Sequence, residues 1–228
     1  MMSVNRECLL FNRKISDSTL GLVTFGNAGI RSGGKLFIKP SGADLSTLSE
    51  EEISVIEIQS GELIEGAKPS SDTPTYLEIL KAFPSIGAII HTHSMYATAW
   101  AQSLQPIPCI GTTHADYWTS EIPITRSLTA DQISDNYEKE TGKAIVEKIR
   151  ELEVDPLDCP GLLVANHGPF TWGATIRDAF KHAMLLDYIA HLALMTVDID
   201  PHTKPISVSL HRKHFQRKHG PDSYYGQG

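Results

Sequence analysis

Three observations predict an α/β fold with a mixed sheet covered by helices on both faces. Short continuous apolar runs at 86–90 and 162–165 have the length of buried strands and end in turn residues. Longer segments repeat their apolar residues at helical spacing, and one of them, 177–197, is apolar nearly all round. Helices and strands are interleaved without a repeat and without a regular βαβ rhythm, so a mixed sheet between helices is the economical architecture.

The elements follow in chain order. Residues 4–14 place Val4, Cys8, Leu9 and Phe11 on one helical face. A strand at 22–25 before Gly26-Asn27 and another at 35–39 before Pro40-Ser-Gly42 read as a hairpin with a wide glycine turn. Residues 53–58 form a strand closed by Ser60-Gly61, with 62–65 returning. Asp72-Thr73-Pro74 starts a helix that shows Tyr76, Ile79, Leu80 and Phe83 on one face. The buried strand 86–90 leads to a helix at 94–104, then to short strands at 107–111 and 122–125. Thr129-Ala-Asp-Gln132 is a capping box opening a long helix through Ile133, Tyr137, Ile145 and Ile149. The strand 162–165 ends in a turn, Asn166-His-Gly-Pro169, before the long apolar helix. A basic helix over 207–219 stops at Gly220, and a polar tail with Tyr224-Tyr225 follows.

Composition bounds the function. The 228 residues fit one large domain or two small ones. With 41% hydrophobic and 21% charged residues the chain is ordinary globular, which excludes a disordered or fibrous protein. A formal net charge of -7 argues against a general binder of nucleic acid or anionic membrane. No run approaches the ~18 consecutive apolar residues of a membrane helix. The first residues are too polar for a secretory signal, so a cytoplasmic location is expected. Cys8, Cys109 and Cys159 are far apart and odd in number, as reduced thiols are. Ten histidines are a surplus for this size, and they point to the chemistry.

The strongest local feature is His91-Thr-His93 at the end of a buried strand. In extended chain, side chains at i and i+2 leave one face roughly 6–7 Å apart, close enough to share a cation. The pair is either that or a satisfied core pair. His167 follows another buried strand, and Asp72 at a helix start offers an anionic fourth ligand. Lys39-Pro-Ser-Gly42 and Lys68-Pro-Ser-Ser71 are loops of small polar residues that suit a phosphate, or are simply turns. Gly29 to Lys35 resembles a nucleotide-binding loop, but Leu36 stands where Ser or Thr should hold magnesium, so it reads as a hairpin turn. No Gly-x-Gly-x-x-Gly opens a helix, which leaves a nicotinamide site without support. Thr112-Thr-His-Ala-Asp116-Tyr117 offers His114 and Asp116 as acid/base candidates, or a capped loop. His214, Arg217 and Lys218 share one face of the basic helix, suited to an anion or merely solvated. His182 and His191 in the apolar helix read as core or interface residues.

Taken together, Phe25-Gly-Asn27, the two Lys-Pro-Ser loops, His91-Thr-His93, Gly111 to Tyr117, Tyr137-Glu-Lys-Glu-Thr-Gly142, His167-Gly-Pro-Phe170 and the Tyr-Tyr-Gly-Gln227 ending resemble the L-ribulose-5-phosphate 4-epimerase family of class II aldolases. The motifs run in family order from about residue 20 to 227. The resemblance implies a three-layer α/β/α domain over 1–228 with a central mixed, mostly antiparallel sheet. It implies a homotetramer whose tail, about 220–228, completes a neighbouring subunit's site. It implies a zinc ion, one per subunit, on Asp72, His91, His93 and His167. Gly26, Asn27, Lys39, Ser41, Gly42, Ser70 and Ser71 match the substrate and phosphate contacts, and Asp116 and Tyr225 the acid/base pair, the tyrosine coming from a neighbour. The implied reaction is 4-epimerisation of L-ribulose 5-phosphate to D-xylulose 5-phosphate through C3–C4 cleavage and re-addition. The alternatives are an aldolase that releases its aldehyde, whose fuculose-phosphate representatives have Glu in place of Asp72, and a non-enzymatic adducin-like domain lacking the metal histidines. The chain departs from the family at Phe25, Ala28 and Gly29, where Trp, Val and Ser are usual, and the motifs assign no role to Glu138, His214 or Arg217.

Overall fold

In the computed structural model, residues 2–21, 25–221 and 223–224 are described. Seven strands form one sheet in the order β4-β3-β2-β1-β5-β7-β6. They are β1 (Asn27–Ser32), β2 (Lys35–Ile38), β3 (Ser54–Glu57), β4 (Leu63–Glu65), β5 (Ala88–His91), β6 (Gly161–Val164) and β7 (Gly168–Gly173). Every strand pair is antiparallel, and the parallel pairing is an isolated bridge between Ile124 and Leu163. The described helices are α1 (Val4–Ser16), α2 (Thr73–Ala82), α3 (Met95–Gln102), α4 (Thr112–Ala115), α5 (Ala130–Glu151), α6 (Ile176–Ile199) and α7 (Val208–His219).

The period of two along the strands sorts the core into two faces. Ala28, Ile30, Ala88 and Ile90 pack with Phe11 and Ile15 of α1 and with Ile176 and Ala179 of α6. Leu36, Ile38, Ile56 and Ile89 point the other way, onto Tyr76 and Ile79 of α2 and Ile145 and Ile149 of α5. Helices therefore cover both faces, as the interleaved patterns predict. By length and composition α6 suits a membrane span, yet Ala179, Ala183, Leu186 and Ala190 are buried in the core of this fold.

The sequence and the structure differ at three places. The hairpin turns at Gly33-Gly34, both with positive φ (55° and 79°), between β1 and β2. Two left-handed residues match the twist of the flanking strands, so the turn is tight rather than wide. The strand expected at 22–25 falls largely on 22–24, outside the described residues. The strands expected at 107–111 and 122–125 reduce to single bridges, Ile107 to Ile122 and Ile124 to Leu163, with α4 in place of the following loop. The turn at 166–169 continues directly into β7, which lies inside the sheet between β5 and β6. Pro169 disguises it, because proline inside a central strand argues against a strand except near its start.

Candidate active site

The site grows from the middle of the sheet. Asn27 on β1, His91 on β5 and Phe170 on β7 stand in one row across three adjacent strands. The His91 ring stacks on Phe170 with centroids 4.2 Å apart. Its Nδ1 lies 3.0 Å from the Pro169 carbonyl, which only accepts, so Nδ1 carries the proton and Nε2 a lone pair. The His91 amide donates to the Tyr76 hydroxyl, which donates to the Asn27 carbonyl.

His93 lies two residues beyond His91, past the end of β5, with Nε2 3.1 Å from Nε2 of His91. His167 sits in the β6–β7 turn, where Asn166 takes a left-handed φ of 60° and Gly168 lets the backbone close in. A Cβ on Gly168 would lie 2.8 Å from the Thr92 carbonyl oxygen. The three rings offer ligand atoms within 4.8 Å of one another. Burial lowers the pKa of each histidine, that of His91 to about 3, so all three are neutral imidazoles near pH 7. Nε2 of His91 and Nε2 of His93 face each other, while Nδ1 of His91 and Nδ1 of His167 already have partners. The remaining ring nitrogens converge where a divalent cation would satisfy them. The donor set therefore fits a metal ion.

Asp72 is the N-cap of α2, but its side chain makes no capping bond. It accepts from Asn27 Nδ2 at 2.6 Å instead, and its charge raises the pKa of all three histidines against the larger effect of burial. That bond orients the Asn27 amide and leaves its buried Oδ1 without a partner. The two Lys-Pro-Ser loops form one structure: Ser41 N–H donates to the Lys68 carbonyl, Ser70 N–H to the Lys39 carbonyl, and Pro40 bridges Pro69. Lys39 is buried at their base, its ammonium pKa lowered by burial and held up by Asp72.

A cavity of about 350 Å³ gathers Gly26, Asn27, Lys39, Ser41, Gly42, Ser70 and Ser71 with Asp72, His91, His93 and His167. Three further residues line it. Phe25 stacks on His93 at 5.1 Å, and Tyr137 and Glu138 project from a break in α5 at Asn136 (φ -155°, ψ 68°). The Tyr137 hydroxyl lies 3.1 Å from His167 Nδ1. Periodicity alone does not reveal that break.

Asp116 does not line this cavity. It caps α4 and is buried beneath α7, where Arg217 donates to both carboxylate oxygens (3.1 and 2.8 Å) and His214 Nδ1 lies 3.0 Å away. The basic face of α7 is thus a clamp on 116–118 rather than a solvated surface: Lys218 bonds the Tyr117 hydroxyl and His211 the Trp118 carbonyl. His114 and His182 are core residues, donating to the Ser120 and Trp172 carbonyls. His191 stacks face to face on Tyr96. Tyr225 falls outside the described residues.

The family model "Class II Aldolase and Adducin N-terminal domain" matches residues 6–194. The chain belongs to this family. Within it, L-ribulose-5-phosphate 4-epimerase UlaF of Salmonella paratyphi B is 43% identical over 223 residues, covering 96% of each chain, and the same protein of Salmonella typhi matches equally well. Among solved structures, an L-fuculose 1-phosphate aldolase superposes with a TM-score of 0.79 at 23% identity, covering 95% of this chain and 97% of that one. The L-fuculose-1-phosphate aldolase of Thermus thermophilus gives 0.69 at 19% identity over 86% and 97%. These structures share the class II aldolase fold with this chain.

Proposed function

We propose that the chain interconverts L-ribulose 5-phosphate and D-xylulose 5-phosphate by breaking and remaking the C3–C4 bond. The observation that carries this reading is the single cavity joining three neutral imidazoles to two bridged Lys-Pro-Ser loops. The 43% identity to epimerases supports it independently.

In a 2-ketopentose 5-phosphate the C4 hydrogen is not α to the carbonyl, so removing that proton cannot invert C4. Removing the C4 hydroxyl proton can: the C3–C4 pair passes to the carbonyl oxygen, giving an enediolate and glycolaldehyde phosphate. A zinc ion held by His91, His93, His167 and Asp72 would supply Lewis-acid charge at the enediolate oxygens. Asn27, whose buried Oδ1 lacks a donor, receives a sugar hydroxyl. Ser41, Gly42, Ser70, Ser71 and Lys39 hold the phosphate while the aldehyde turns and re-adds through its other face.

Rotation carries the C4 oxygen across the site, so a proton must be taken on one side and returned on the other. Asp116 and Tyr225 fill those roles. Asp116 lies under α7, held there by Arg217 and His214. The resemblance assigns Tyr225 to a neighbouring subunit, and because Asp116 does not line the histidine cavity of its own chain, this reading has the same neighbour supply both groups, in a homotetramer. Exposed Met184, Tyr188, Leu192 and Met195 on α6 supply apolar surface for such an assembly. The three buried, unpaired cysteines fit a cytoplasmic enzyme.

The test is to incubate the zinc-loaded chain with L-ribulose 5-phosphate. D-xylulose 5-phosphate is expected, and it should vanish on chelation and return with zinc. Accumulating free glycolaldehyde phosphate would mean an aldolase, and no turnover a binding domain. Full activity in metal-free protein would refute the metal role.

A further inference from the structure

His91 and His93 are fixed by different means. His91 belongs to the β5 ladder and is clamped by Phe170 and the Pro169 carbonyl. His93 lies past the end of β5 and has no register there. Beyond it, Ser94 leads directly into α3, so the backbone of His93 is held from the helix side.

The start of α3 is capped in an unusual way. An N-cap side chain normally accepts from the second or third amide of its own helix. Ser94 occupies that position but makes no such bond, and its hydroxyl is buried without a partner. Asp187, in the middle of α6, takes over the capping. It is buried, and its Oδ1 accepts from the N–H of Tyr96 at 3.1 Å and of Ala97 at 3.2 Å. Its charge also faces the positive end of the α3 dipole. One to two turns later, Trp100 Nε1 donates to the Ala190 carbonyl, a second tie between the same two helices.

We propose that Asp187 is a positioning residue for His93: by capping α3 from α6 it sets the position of one of the three imidazole donors. The assignment rests on the metal reading above. Asp187 touches neither the cavity nor the ligands, so it acts through the helix start alone.

The experiment measures zinc dissociation constants of purified chains by competition with a chromophoric chelator, alongside unfolding midpoints of the metal-free proteins. Asp187→Asn keeps the accepting oxygen and should bind zinc within about twofold of wild type, whereas Asp187→Ala should bind about tenfold or more weakly, the usual scale for losing support behind a ligand. Trp100→Phe removes the other α3–α6 hydrogen bond and should lower the midpoint without changing zinc affinity. Wild-type affinity in folded Asp187→Ala overturns the proposal. So does a loss in Asp187→Asn equal to that in Asp187→Ala, or an equal loss in Trp100→Phe, since general loosening would then explain it. If Asp187→Ala does not fold, Asp187→Glu decides: it keeps the charge but displaces the oxygen, and undiminished affinity overturns the assignment. A wild-type chain that binds no zinc refutes the metal reading itself, and this proposal with it.

Discussion

The Tyr137 hydroxyl lies 3.1 Å from His167 Nδ1, with the two rings stacked 6.0 Å apart. When Nε2 of His167 serves a metal ion, Nδ1 carries the proton and donates it to that hydroxyl, fixing tautomer and ring plane. Tyr137→Phe should weaken zinc binding about tenfold. The side chain is only half-buried, so the unfolding midpoint should hardly move. Unchanged zinc affinity in chelator competition would mean that the stacked ring alone orients His167.

Ser41→Ala and Ser71→Ala each remove a hydroxyl from a residue that lines the cavity. A hydrogen bond to a charged group is worth on the order of 1.5–3 kcal/mol. Each variant should raise KM for L-ribulose 5-phosphate by about tenfold or more and release some glycolaldehyde phosphate, detectable with a coupled aldehyde assay. Unchanged KM with no leakage would reduce both loops to turns.

His114 and His182 are buried neutral, burial having lowered each pKa from 6.5 to about 4 against the bonds to the Ser120 and Trp172 carbonyls. Between pH 6.5 and 4 the unfolded chain protonates these rings while the folded chain does not, so stability is lost as pH falls. Each ring should account for on the order of 3 kcal/mol across that window. Urea unfolding of metal-free protein at stepped pH should show the loss, and His182→Gln should flatten it. An unchanged slope in that variant would place the acid sensitivity elsewhere.

Subunit mixing tests the shared site. His93→Asn and Tyr225→Phe damage different halves of the proposed site, so mixed tetramers should recover activity. Asp116→Asn and Tyr225→Phe damage the same half, so their mixtures should stay inactive once subunit exchange is verified by mass. Recovery in the second mixture would assign Asp116 and Tyr225 to different chains.

Much of the site was legible because its residues carry local signals. His91, His93 and His167 stand at strand ends amid a surplus of histidine, and Asp72 at a helix start. The Lys-Pro-Ser loops stand out by composition, but their mutual bridge, Pro40 to Pro69, joins segments that no local pattern connects. The strand β7 was hidden by Pro169, and the break at Asn136 by the unbroken helical pattern around it. The basic face of α7 looks solvated until Asp116 is found beneath it, 98 residues back in the chain. Asp187 gives no signal at all, because the amides it caps lie 91 and 90 residues away.

The row of Asn27, His91 and Phe170 has a consequence for how such proteins can diverge. Successive side chains on a strand face opposite ways, so inserting one residue within β5 would send the imidazole into the layer occupied by α1 and install Ile90 in its place. The Gly33-Gly34 tip lines no part of the cavity, so changes there leave the site's lining residues untouched. A lineage built on this sheet can therefore trade substrates by rewriting its loops, while the spacing of its three central strands is closed to experiment.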